Sequence, residues 1–240
     1  MLIFLAPSMR LELVATTRPV AQITRALMLT GTTGFSMAGF SLMPLAESTA
    51  FLFVTPLVVV ILSHWLLKES ITRGHWIAVL AGFGGALLIA RPGGALNAEG
   101  IVWMTLAAAC YAIYQIQTRQ LSPTENTLTM LFYTALVGTV AMTLAAPLYW
   151  GGPTPGWIDA ALIASLGIYG GTGHLMLTRA FRYAAASFLS PFLYGQLIWA
   201  GLLGWMFYDH LPDLLSIAGM VVIAGSSLSI ALGERLRRRA

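Results

Sequence analysis

Charge is what this sequence has least of. Of 240 residues, 9% are charged and 58% hydrophobic, with a mean hydropathy of +0.78; a soluble globular chain carries about a quarter charged residues. A polytopic membrane protein is indicated. Cysteine is nearly missing as well. Cys110 stands alone inside an apolar run, which excludes an intramolecular disulfide and a thiolate zinc cluster. No Gly-x-x-x-x-Gly-Lys-[Ser/Thr] occurs, so no phosphate-binding loop is recognisable through which ATP could act, and His-Glu-x-x-His and Gly-x-Ser-x-Gly are absent too. Gly167, Gly170, Gly171 and Gly173 superficially resemble a dinucleotide loop, but they lie in an apolar run with no strand before them, and packing accounts for them better. The opening MLIFLAPS has no basic n-region and no convincing cleavage site, which argues against a secretory signal.

What remains is apolar runs of membrane-spanning length. A helix needs about 20 mostly apolar residues to cross the hydrocarbon, and eight stretches qualify, near 22-43, 46-67, 74-91, 100-118, 127-148, 158-178, 185-208 and 214-232. Turn chemistry separates them at Pro44, Arg91-Pro92-Gly93-Gly94, Ser122-Pro123, Gly151-Gly152-Pro153, Pro155-Gly156 and Pro212. No gap is long enough for a soluble domain. The formal charge of +4 sits in these gaps, which makes it a topology signal rather than a nucleic-acid footprint. One side collects Arg10, Arg18, Arg25, Lys68, Arg73, Arg119, Arg179, Arg182, Arg235, Arg237, Arg238 and Arg239, and the other only Arg91. Both termini are therefore expected in the cytoplasm.

The stretch 40–93 is two apolar runs around a basic turn, and a stretch of the same build follows at 181–234. A slide of 141 residues matches Phe40 with Phe181, Phe51 with Phe192, Leu52 with Leu193, Leu62 with Leu203 and Gly84 with Gly225. The middle turn changes sign, from Lys68 and Arg73 to Asp209 and Asp213, so the two copies are expected to lie in opposite orientations. Inverted repeats of this kind are a build of secondary transporters. The repeats are placed at 1–98 and 99–240. The second holds five helices and the first three complete ones, so MLIFLAPS reads either as the last turns of a helix cut off from its beginning or as an apolar tail.

Pro44-Leu45-Ala46-Glu47-Ser48-Thr49-Ala50, the run Leu80 to Gly94 with Gly82-Phe83-Gly84-Gly85 and Arg91-Pro92-Gly93, and Ala184 to Pro191 followed by Tyr194, Gln196 and Trp199 carry a resemblance. From about Arg18 onward the chain resembles the ten-helix EamA branch of the drug/metabolite transporter superfamily, lacking the first helix and most of the second. The resemblance implies an all-α polytopic membrane bundle with an inverted repeat. It also implies an inner-membrane carrier of small metabolites, amino acids or their derivatives, working by alternating access without ATP. Where the family often has an acid before Leu-Pro, this chain has His210. The rival readings are a non-transporting fragment or subunit that needs partner helices, and an intramembrane enzyme. Scattered Glu47, His64 and His174 argue against the enzyme. A small-molecule solute and the bilayer are the expected partners, with no nucleic acid, no cofactor and no metal; oligomeric state is open, a homodimer included.

Candidate site residues follow from helical spacing. Tyr111, Tyr114, Gln115 and Thr118 form one polar stripe that should not face lipid, so it lines a cavity or makes a hydrogen-bonded helix contact. Gly167, Gly171, His174 and Thr178 share another face, expected to be interior, where His174 is a solute or proton site or a satisfied buried histidine. Tyr194 and Gln196 lie about 200° apart around a helix, so one of them at most lines a given cavity. Pro191 and Pro56 each remove a backbone donor and mark a break or kink. Glu47, three residues after Pro44, is either a proton-coupling carboxylate or a helix-start residue favoured by the dipole. The polar run Thr30 to Gly39 is expected to be enclosed by neighbours, and His64 and His75 to lie near the membrane interface.

Overall fold

The computed structural model describes residues 13–93, 97–149, 155–209 and 211–237. MLIFLAPS, His210, Arg238, Arg239 and parts of the turns at 94–96 and 150–154 lie outside the described residues. Every named element is helical: α1 (Pro19–Leu42), α2 (Leu45–Leu52), α3 (Thr55–Leu67), α4 (Arg73–Ala90), α5 (Ala98–Leu121), α6 (Thr127–Tyr149), α7 (Trp157–Tyr183), α8 (Ala186–Leu189), a 3-10 turn (Ser190–Tyr194), α9 (Gly195–Tyr208) and α10 (Leu214–Arg237). With α2–α3 and the α8-to-α9 segment each counted as one broken rod, the described residues form eight helical rods at the places of the eight expected crossings. Among the described residues six are long and apolar enough to span a membrane: Glu47–Leu67, Arg73–Ala90, Thr127–Leu148, Trp157–Tyr183, Ala186–Phe207 and Leu214–Gly233. The other two, α1 and α5, are long enough but carry Gln22 and Arg25, and Gln115, Gln117 and Arg119.

The second hairpin repeats the first at the offset read from the sequence. Leu45 and Ala186 both begin a helix after an extended residue, Pro44 (φ −56°, ψ 150°) and Ala185 (φ −63°, ψ 150°). Leu67 and Tyr208 end α3 and α9, and Arg73 and Leu214 begin α4 and α10, each pair 141 residues apart. The helix-ending residues Lys68 and Asp209 share a left-handed backbone, φ 55° and 54°. Few non-glycine residues adopt that conformation, so the turn keeps its shape while its charge reverses.

The chain divides into two compact units whose boundaries fall inside α1 and α5. The first comprises Met1–Thr30 and Gln117–Tyr183, the second Gly31–Ile116 and Ala184–Ala240. In the second unit α4 and α10 form the main helix pair. They are antiparallel, because Arg91 at the end of α4 pairs with Asp213 at the start of α10 at 2.5 Å. Their close approach depends on glycine. A Cβ on Gly85 would lie 2.7 Å from the Gly219 carbonyl and 2.9 Å from Ile223, while one on Gly219 would lie 2.6 Å from the Gly85 carbonyl and 2.8 Å from Ile89. Gly85-x-x-x-Ile89 and Gly219-x-x-x-Ile223 thus pack reciprocally, backbone on backbone. Phe53, Val60, Val79, Ala86, Tyr194 and Ile223 form the adjoining core. In the same unit Gly31 faces Cys110, Phe35 stacks on Trp103, and Gly39 seats Met104, so the second half of α1 runs antiparallel to the first half of α5. Ser36 is buried there, whereas Thr33 and Gly34 on the opposite face are exposed, so the polar run is enclosed on one face only.

In the first unit α6 packs on α7, and the Arg119 guanidinium donates to the Phe181 carbonyl at 2.5 Å, fixing the last turn of α5 beside the last turn of α7. Most of α7 is uncovered. No residue from 157 to 177 is buried, and a Cβ on Gly167, Gly170, Gly171 or Gly173 would meet nothing within 4 Å. The face expected to be interior is therefore open at Gly167, half-covered at Gly171 and His174 and buried at Thr178, because small residues permit a helix contact without supplying one.

Candidate functional site

Proline sets the two helix breaks of the second unit. Pro56 is the second residue of α3 and Pro191 the second of the 3-10 turn, positions where a missing N–H costs nothing and the fixed φ favours a new helical start. Each break frees backbone carbonyls, and side chains take them up. Tyr194 donates its hydroxyl to the Phe53 carbonyl at 3.0 Å, and Ser227 donates to the Pro191 carbonyl at 3.4 Å. Tyr194 is fully buried, its ring seated where Gly82 has no side chain: a Cβ there would lie 2.5 Å from the ring. Gln196 is exposed, as the 200° separation requires. Tyr194 is therefore engaged as an internal strut of its unit.

The start of α8 is held from the first hairpin. Glu69, in the turn after Lys68, accepts the backbone N–H groups of Ala186 and Ser187 at 3.0 and 3.1 Å and the Ser187 hydroxyl at 2.7 Å. This is an N-terminal cap delivered by a residue 117 positions away. At the same end His75 closes a capping box with Thr72 at the start of α4, and the exposed His64 meets the Glu69 carbonyl. Glu47 lies in the first turn of α2 and accepts the Gly93 N–H at 3.2 Å.

On α5, Tyr111 and Tyr114 stack with ring centroids 6.0 Å apart. Tyr111 is half-buried and Tyr114 fully buried. Gln115 is 1% exposed, and its side-chain nitrogen is buried without a hydrogen-bond partner among the described residues. A buried donor left unmade costs about 1–3 kcal/mol.

Thr118, the last member of that stripe, belongs to the first unit and receives Arg25 Nη1 at 3.4 Å. Arg25, by sequence one of the charges of the basic membrane side, sits inside α1 and is fully buried. Its Nη2 donates to Gln22 at 3.4 Å, to Thr134 at 2.8 Å and to the Met130 carbonyl. Gln22 in turn donates to Glu125 at 3.2 Å, and Glu125 also accepts the hydroxyls of Thr16 and Thr17. Burial alone would raise the Glu125 carboxyl; the three side-chain hydrogen bonds outweigh it and hold the group below its ordinary range. Half-buried His174 on α7 lies within reach of the Arg25 charge, and one turn on, the Thr178 hydroxyl is fully buried without a hydrogen-bond partner among the described residues. The structure thus places His174 in the first unit, and Glu47, Tyr111, Tyr114, Gln115, Tyr194 and Gln196 in the second. The missed residues are Arg25, Glu125 and Glu69; Gln22 and Arg25, three apart at the head of an apolar run, were the available signal for the first two.

A family model described as the EamA-like transporter family matches residues 1–91 and 98–232. A S-adenosylmethionine uptake transporter of Rickettsia bellii (strain RML369-C) is 29% identical over 221 residues, 92% of this chain and 75% of that protein. The pseudopaline exporter CntI of Pseudomonas aeruginosa (strain UCBPP-PA14) is 28% identical over 191 residues, 78% of this chain and 66% of that one. A crystal structure of another protein superposes with a TM-score of 0.85 at 18% identity, covering 98% of this chain and 84% of that chain, a likeness of fold.

Proposed function

Because the chain belongs to the EamA-like transporter family, we propose that it is a secondary carrier moving small metabolites, amino acids or their derivatives by alternating access without ATP. It is a multi-pass membrane protein and a transporter, not an enzyme. The repeats would be 1–98 and 99–240, with both termini cytoplasmic by the distribution of Lys and Arg. Supporting the mechanism are the two helix breaks, in matching positions of the two hairpins, since inverted-repeat carriers build sites from discontinuous helices.

The observation that carries solute contact is Gln115, whose buried side-chain nitrogen calls for an acceptor. We assign it to a carbonyl or carboxylate of the solute, with the Tyr111–Tyr114 stack beside it, and hold Gln196 and His174 as further contacts. Glu47 and His174 are the candidates for proton coupling. S-adenosylmethionine, an amino-acid derivative, is the first solute to try, given the name of the Rickettsia relative. Counterflow in proteoliposomes tests the assignment. Gln115→Leu is expected to raise KM about tenfold or more with folding intact; an unchanged KM for a transported solute would remove Gln115 from the site.

One observation favours a second reading, a subunit that works with partner helices. Among the described residues nothing comes within 4 Å of a Cβ built on Gly167, Gly170, Gly171 or Gly173 of α7. Flux by the purified chain alone separates the two.

A further inference from the structure

The α4–α10 pair is tied at one end by Arg91 and Asp213. The 141-residue offset sets Leu232 and Thr72 at the equivalent places of the other end, and neither carries a charge. That end is open. It holds a half-open recess of about 300 Å³, lined by Thr72, Gly74, His75 and Ile77 from the start of α4 and by Ser229 and Gly233 from the end of α10. A Cβ on Gly233 would meet nothing within 4 Å, so the recess is space that a ligand can enter. Its polar wall is already engaged: Thr72 and His75 bond each other, and Ser229 donates to the Ser226 carbonyl. The charge stands at the rim. Arg73, between Thr72 and Gly74, is exposed, and Lys68 precedes it in the same turn. Past Gly233 the sequence continues Glu234-Arg235-Leu236-Arg237-Arg238-Arg239, four arginines against one glutamate.

Away from the rim the surface becomes apolar. Ile77, Leu80 and Gly84 recur at i, i+3 and i+7 on one face of α4, and all three are exposed. Trp76, 38% exposed in the second turn, is of the residue type that collects at headgroup level. A basic rim, a recess and an apolar track below it suit a molecule with an anionic head and a hydrocarbon tail. We propose that the recess seats the headgroup of an anionic glycerophospholipid, with its phosphate at Arg73 and an acyl chain along Ile77 and Leu80. A zwitterionic lipid brings the same chains without the net charge, and a free phosphate brings the charge with nothing for the track. This goes beyond carrier activity, because a bound lipid is counted without gradient or flux.

The test counts molecules retained by the full chain in neutral detergent, by native mass spectrometry. The probes are phosphatidylglycerol and phosphatidylcholine of identical chains, and glycerol phosphate. One phosphatidylglycerol should be retained at about a tenfold lower concentration than either of the other two, since each basic residue near a lipid surface contributes about fivefold. Arg73→Gln should reduce that preference about fivefold. Gly233→Leu, which fills the open space, should remove the tightly held lipid, and the melting temperature of each variant checks that it is folded. Arg179→Gln removes the same charge from the other unit and should leave the preference intact. Equal retention of the two lipids overturns the proposal, as does glycerol phosphate held as tightly as the lipid. So does a preference untouched by either Arg73→Gln or Gly233→Leu, or an equal loss in Arg179→Gln, which a diffuse positive field would give.

Discussion

The hydroxyl of Tyr194 reaches the backbone carbonyl of Phe53 across 3.0 Å, and the two residues are 141 apart, the offset between the two hairpins. Equivalent positions of the two copies therefore touch each other, Tyr194 filling by its side chain a carbonyl that the break at Phe53 leaves available. Their rings also pack, with centroids 6.3 Å apart. A contact between a position and its own repeat equivalent is what a two-fold relation produces at its axis.

Tyr194→Phe keeps the ring and deletes the hydroxyl. Loss of that bond from a buried carbonyl should cost about 1–3 kcal/mol, read as a lowered melting temperature of the purified protein. An unchanged melting temperature would mean that the Phe53 carbonyl finds another donor.

The reciprocal Gly85–Gly219 approach predicts non-additivity. Gly85→Ala and Gly219→Ala each place a methyl group against backbone that cannot yield, and overpacking of this kind costs about 1–3 kcal/mol. Both changes strain the same crossing, so the double variant should lose less than the sum of the singles. Chemical denaturation of the three variants measures the coupling, and simple additivity would show that the two contacts are independent.

Much of this was legible beforehand for a plain reason. Apolar runs of fixed length, broken by proline, glycine and charge, write helix ends directly into the sequence, which is why the offset of Leu45 to Ala186 and of Arg73 to Leu214 agrees with the slide read from Phe51 and Leu52. Contacts between distant residues leave no such trace. Glu69 looks like a loop acid until α8 is seen to start against it, and Arg25 looks like a topology charge until Thr134 and the Met130 carbonyl surround it. Tyr194 and Gln196 could be assigned to opposite sides, but which side was interior depended on Gly82 from another helix. On α7 the face read as interior is buried at Thr178 and half-covered at His174, but its glycine pattern allows a close neighbour without requiring one, and the described residues bring none within 4 Å of a Cβ at Gly167 or Gly171.

Acid should weaken the Arg91–Asp213 tie. The bond from Arg91, then those from Ser216, hold the Asp213 carboxyl at about 2, against an ordinary 3.8. A depressed folded value means that its stabilisation is complete above about pH 4 and fades as pH falls from there toward 2. The pair is exposed, so the effect should be small and reduced by salt. Asp213→Asn should abolish that part of the acid dependence: wild type and variant should differ above pH 4 at low salt and converge toward pH 2. Parallel curves over the whole range would contradict it.

The central claim is that this chain carries small metabolites across a bilayer without ATP, and flux tests it most directly. Purified protein in liposomes, free of nucleotide, would be incubated with a mixture of amino acids and their derivatives, and the solutes gained inside identified by mass spectrometry against protein-free vesicles. The account predicts that at least one such metabolite equilibrates faster with protein present, and that its unlabelled form on the opposite side accelerates exchange. No gain of any solute by a protein shown to be folded in the same vesicles would contradict it.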